Sequence, residues 1–144
     1  MEVLILGNYK RIEKMLYGYK ADKLRILNIN RELEKSEVTG ISGVSYDGIG
    51  GGSGEINDAV ANEVHYKIER EKNLLEEKEL KEKNIKIIDE TLEILPSTQR
   101  QIIIEFYIEN KQWWQVAGIV KYSEQHCRKM RRQAIKTIES AVYG

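Results

Sequence analysis

Between Ser123 and Lys136 the chain concentrates side chains that make planar hydrogen-bond pairs or hold an anion: Glu124, Gln125, Arg128, Lys129, Arg131, Arg132 and Lys136. A guanidinium offers paired donors that match the major-groove edge of guanine, a carboxamide matches adenine, and a carboxylate accepts from the amino group of cytosine. Arg128, Gln125 and Glu124 therefore have the chemistry of base readers. Lys129, Arg131, Arg132 and Lys136 suit phosphates, which give affinity without sequence information.

Other chemistries find less support. His65 and His126 lie far apart with no second histidine or cysteine close by, and Cys127 is the single cysteine, so neither a metal site nor an internal disulfide is expected. The glycine-rich stretch lacks the GK[ST] ending of a phosphate loop and does not follow a strand pattern. No nucleophile stands beside a general base, and the many glutamates read as a solvated helix face, so no enzyme activity and no cofactor are expected. The apolar run Val3–Leu6 is too short for a signal peptide and nothing resembles a membrane span, which predicts a soluble cytoplasmic protein without a membrane partner.

Formal net charge is zero over 144 residues, but the charge is unevenly placed. Glu55 to Leu95 holds twelve acids and seven bases, a net of −5, whereas Asn110 to Gly144 holds seven bases and two acids, a net of +5. The basic end coincides with the hydrogen-bonding cluster, as electrostatic attraction to DNA requires.

Two crossing helices position such a cluster only if their facing sides are apolar and the crossing point is small. Trp113, Val116 and Val120 supply one inward face, Ala117 the small residue, Tyr122 the filling of the turn, and Cys127 with Met130 the second face. Trp113 is expected to close this centre with Ile103, Phe106 and Tyr107, leaving Trp114 for a partner surface or as cover for an adjoining helix, with stacking on DNA the lesser reading. Lys121 stands where many such motifs place a glycine, so a different or longer turn is expected there. The elements predicted are a helix over about 98–109, a turn at 110–111, a short helix from Gln112 or Trp113 to Val120, and a final helix from Ser123.

The stretch WWQVAGIVKYSEQHCRKMRRQAIKTIE resembles region 4 of sigma-70 factors, over about forty-five residues. The resemblance implies a helix-turn-helix that reads promoter DNA, with Ser123 as N-cap and Cys127, Met130, Ala134 and Ile138 on the buried face. It places Glu124, Gln125, Arg128 and Lys129 at base-contacting positions and Gln112 at a phosphate; Lys121 and Ser123 join the expected phosphate set. The whole-chain layout is similar to phage and prophage regulators of the ArpU/RinA type, which implies transcriptional control without a complete sigma body.

Upstream of this module, residues Ile12, Leu16, Tyr19, Lys23, Ile26 or Leu27 and Leu33 recur at helical spacing and predict one N-terminal helix within 1–38, with a kink near Gly18. Seven glycines between Gly40 and Gly54 predict a flexible linker over 39–54. Residues 55–95 contain no glycine or proline and predict one long acidic helix of roughly 60 Å. Its seam of Val60, Val64, Ile68, Leu75, Ile85, Ile88, Leu92 and Leu95 is suited to a coiled coil. Pro96 ends that helix, and Ser97 or Thr98 is expected to cap the next.

The expected architecture is thus all-α: an elongated helical, coiled-coil-like N-terminal part and a three-helix module over 96–144. The expected partners are double-stranded DNA and a second copy of the chain through the long helix, although the N-terminal helix folding back could cover the seam instead. The rival readings are a small terminase subunit for phage DNA packaging and an adaptor that docks on RNA polymerase without touching DNA.

Overall fold

A computed structural model of the chain describes residues 2–40 and 54–144, with side chains described over 7–36 and 59–144. Among the described residues every regular element is helical and there is no strand. The helices are α1 (Glu2–Tyr17), α2 (Tyr19–Gly40), α3 (Gly54–Ile94), α4 (Ser97–Ile103), α5 (Trp113–Val120) and α6 (Glu124–Tyr143), with a π-helical segment, Ile104–Ile108, continuing α4. The expected linker lies almost wholly outside the described residues. By packing the chain divides into two compact units, one formed by the segment up to Lys23 with Lys83–Gly144, the other by Leu24–Glu82.

The single N-terminal helix expected from the spacing is broken at Gly18 into α1 and α2. The Gly18 amide still donates to the Lys14 carbonyl at 3.0 Å, and its own carbonyl accepts from Asp22 at 2.8 Å. A Cβ at this position would stand 3.2 Å from the Lys14 carbonyl oxygen, so glycine permits the tight join.

In the larger unit, α1 contributes Ile12 and Leu16, and the end of α3 contributes Ile88 and Leu92, each set at helical spacing. They, with Leu95 standing just beyond the end of α3, close a core with Ile103, with Tyr107 and Ile108 of the π segment, and with Ala134, Ile135 and Ile138 of α6. Each fully buried large aliphatic side chain contributes roughly 1.5–3 kcal/mol by leaving water. The C-terminal part of the apolar seam on α3 is therefore covered within one chain, in a cluster shared with α1, the π segment and α6. The module expected over 96–144 does not stand alone, since α1 packs directly on α6.

Pro96 ends α3 as expected, but the N-cap of α4 is Pro96 itself, without a side-chain hydrogen bond, rather than Ser97 or Thr98. The open carbonyls at the end of α3 are instead taken by Arg100, whose guanidinium donates to Leu92 at 2.7 Å and to Glu93 and Leu95 at 3.1 Å each. The helix expected over 98–109 is α-helical only to Ile103. Beyond it the Glu109 amide donates to the Ile104 carbonyl at 2.9 Å, an i+5 bond that widens the turn. Widening advances successive side chains by a smaller angle, so the consecutive residues Phe106, Tyr107 and Ile108 can all lie against apolar neighbours. Asn110, at φ 55°, then stops the helix in the left-handed conformation that asparagine tolerates.

The second unit is an antiparallel helix pair. Arg25 donates to both carboxylate oxygens of Glu77, at 2.8 and 3.0 Å, Arg70 reaches Glu32 at 3.3 Å, and Ser36 donates to Glu71. Between these polar ties only Ile29 and Leu74 are buried among the described residues of this unit. The expected seam is shifted here: Leu74 turns inward while Val64, Ile68 and Leu75 are exposed, as is Leu80. Leu75 lies about 100° around the helix from Leu74, and only one of the two can face the partner helix.

Candidate nucleic-acid interface

Phe106 and Trp113 stack with ring centroids 4.0 Å apart and planes within 17° of parallel, which fixes the start of α5 on the π segment. The Gln112 amide is capped by the side-chain oxygen of Gln115 at 3.0 Å, and Lys111 pairs with Glu105 at 2.5 Å. From there Val116 is fully buried against Ile102 and Cys127, with Trp113, Ala117, Val120 and Met130 partly buried around them. Trp113 thus packs with Phe106 and Ile102, whereas Ile103 and Tyr107 belong to the neighbouring cluster. Ala134 and Ile138 are buried as expected, but in the cluster that holds residues of α1, the end of α3 and the π segment and none of α5.

The turn between α5 and α6 needs no extra length. Lys121 itself adopts the left-handed conformation, at φ 65° and ψ 34°, and its amide closes α5 on the Ala117 carbonyl at 2.9 Å. This corrects the expectation drawn from the missing glycine; the lysine accepts a backbone cost of roughly 1–2 kcal/mol that glycine would avoid. Tyr122 also departs from expectation. It is 47% exposed, and its ring lies 5.0 Å from that of His126 instead of filling the turn. Ser123 is the N-cap of α6, its hydroxyl accepting from the His126 amide at 3.1 Å.

On α6 the buried stripe of Cys127, Ala134, Ile135 and Ile138 determines what remains outward. Gln125, His126, Lys129, Arg132 and Lys136 are all exposed. Ser123, Gln125, His126, Lys129 and Arg132 line one shallow cleft of about 300 Å³. Glu124 and Arg128 sit on a flank of this face, 3.9 Å from each other, with the Arg128 guanidinium 5.7 Å from the centre of the Trp113 ring. Gln112 and Lys121 are exposed at the two ends of α5.

Arg131 does not join the phosphate set. Its side chain is only 21% exposed, lies 3.9 Å from Glu13, and donates to the Tyr107 hydroxyl at 3.3 Å. The guanidinium also sits over the rings of Trp113 and Phe106, at 5.3 and 5.7 Å. Burial opposes its charge, but Tyr107, Tyr9 and Glu13 outweigh that and hold its pKa above the ordinary value. Tyr107 in turn donates to Glu13 at 2.8 Å, and burial pushes its phenol far above the usual range. Arg131, Tyr107 and Glu13 thereby tie α6, the π segment and α1 together. No local spacing announced this network, because its members are brought together only by tertiary packing.

Cys127 is buried, and burial followed by the field of Glu124 pushes its thiol up, away from thiolate chemistry. Among the described residues no three histidine, cysteine, aspartate or glutamate side chains gather as a metal would need, and no helix is long and apolar enough to cross a membrane.

The chain is all-α, with an exposed basic face on its last helix. A family model described as "Protein of unknown function (DUF722)" matches residues 8–140, and the chain belongs to that family. No curated protein and no solved structure matches it.

Proposed function

We propose that the protein is a sequence-specific regulator of transcription that binds double-stranded DNA through α5 and α6, as the resemblance to sigma region 4 and to phage and prophage regulators implies. The observation that carries this reading is the outward face of α6. Gln125, Lys129, Arg132 and Lys136 are exposed there together, on a helix whose opposite face is locked into the core. Gln125, with Glu124 and Arg128 at the flank, reads bases, and Lys129, at a base-contacting position by the resemblance, lines the same cleft as Arg132 and has the chemistry for a phosphate. Gln112, Lys121, Ser123, Arg132 and Lys136 approach phosphates. Arg131 acts behind this surface, holding α6 in place.

The exposed Val64, Ile68 and Leu75 support self-association through α3, with a second copy covering the apolar stripe. Light scattering at micromolar concentration should give a dimer; a strict monomer removes that part of the proposal, and a ring of many copies favours the packaging reading. The adaptor reading draws on Trp114, which is 64% exposed on α5 and offers an apolar contact to a protein such as RNA polymerase. Selection of bound duplexes from a random pool decides between these readings. A regulator enriches one sequence element, and Arg128→Ala relaxes the choice at one base pair; an adaptor enriches nothing.

A further inference from the structure

His126 plays no part in the core and lies outside the base and phosphate sets assigned above, yet it shares a cleft with two cations. Its backbone amide is occupied by the Ser123 hydroxyl, while its ring is held out from the helix beside Tyr122, the two ring centroids 5.0 Å apart. Lys129 and Arg132 follow it at intervals of three residues, each step about 60° around α6, so Lys129 neighbours both His126 and Arg132. They line the cleft of about 300 Å³ with Ser123 and Gln125, and no carboxylate is among the lining residues. Glu124, the acid nearest in sequence, is two residues away and turned about 200° around the helix. Around the imidazole the titratable and charged groups are Lys129 and Arg132 from α6 and Tyr122 from the preceding turn.

We propose that His126 is a DNA-contact residue: with Lys129 and Arg132 it seats one backbone phosphate of the duplex in this cleft. The proposal rests on the DNA-binding reading and adds to it a residue and a chemistry. A phosphate diester carries one negative charge and accepts hydrogen bonds, and the cleft offers two permanent cations with the serine hydroxyl at its edge. A protonated imidazole donates from both ring nitrogens and adds a third positive charge beside the phosphate, so the protonated form of the ring is the one this contact favours. Binding then takes up a proton, and affinity for duplex DNA rises as pH falls.

The test is the fluorescence anisotropy of a labelled mixed-sequence duplex titrated with the full chain at about pH 6 and about pH 8, at fixed ionic strength. Wild type, His126→Gln and His65→Gln are compared, with melting curves to show that each is folded. The expected result is binding about three- to tenfold tighter at the lower pH for wild type and His65→Gln, with most of that ratio lost in His126→Gln. Wild-type binding without a pH ratio, or a His126→Gln variant that keeps the full ratio, overturns the assignment of His126 and leaves DNA binding intact. Absence of duplex binding at either pH overturns the DNA-binding reading, and this inference with it.

Discussion

The two compact units solve the same problem, burying an apolar helix face, with different amounts of material. The larger unit surrounds its stripes on several sides: Ile12 and Leu16, Ile88 and Leu92, and Ala134, Ile135 and Ile138 all meet in one cluster. The helix pair has one inward layer around Ile29 and Leu74, edged by ion pairs of exposed or half-exposed side chains, each worth about 0–1 kcal/mol. What the pair cannot cover stays in water, including Ile68 at 60% exposure. A closed core leaves its unit to act through surface charge. An open apolar stripe invites a partner.

Substitutions in the two units should have unequal effects. Ile138→Ala should destabilise the larger unit by about 2–5 kcal/mol, read as a fall in denaturation midpoint, and DNA affinity should fall with the folded fraction. Ile68→Ser, by contrast, should leave protomer stability within about 0.5 kcal/mol while lowering the mass read by light scattering from that of the proposed dimer to that of a monomer. Similar loss of stability in both variants would contradict the contrast drawn between the units.

A smaller effect probes the polar tie inside the larger unit. Arg131→Ala should cost about 1–3 kcal/mol, because Tyr107 and Glu13 lose their shared cation and keep only each other, and it should lower affinity for all DNA sequences alike by loosening α6. Tyr107→Phe keeps the ring but removes the hydroxyl that bonds Glu13 and Arg131. Its pH signature has a definite sign. The folded state holds the Tyr107 proton above the ordinary value of 10.0, so its contribution is fully present below about pH 10 and is lost as pH rises beyond it. Denaturation midpoints followed upward from that pH should therefore drop more steeply in wild type than in Tyr107→Phe. Tyr9 and Tyr17, also raised by burial, should keep some slope in the variant.

The smallest expected change is at the turn. Lys121→Gly relieves the left-handed strain and should raise stability by about 1 kcal/mol, while removing one cation from the proposed DNA-binding face. Opposite signs in the melting and binding measurements would separate fold from function at a single residue. A destabilised variant would contradict the backbone account of this turn.

Sequence patterns located what depends on local chemistry. Ser123 as N-cap, Pro96 as the stop of α3, the break at Gly18 and the buried stripe of α6 follow from neighbours within a few positions. What escaped depends on contacts distant in sequence. The inward turn of Arg131 needs Glu13, which comes from another helix. The choice of Leu74 over Leu75 needs the opposing Ile29. Arg100 could have been suspected, since a basic side chain soon after a helix-ending proline is within reach of open carbonyls. The π segment could not, because the run IEFYI reads equally well as ordinary helix. The candidate site was legible in residue type and position, but the division between outward Lys129 and Arg132 and inward Arg131 required the packed structure.

DNA binding by the outward face of α6 is read from the duplex affinity of the full chain measured against salt concentration. Log affinity should fall linearly with log salt, by about 0.9 for each phosphate neutralised, with a slope shallower by about one unit in Lys136→Ala. Affinity that does not respond to salt, or no duplex binding at low salt, would contradict DNA binding by this face.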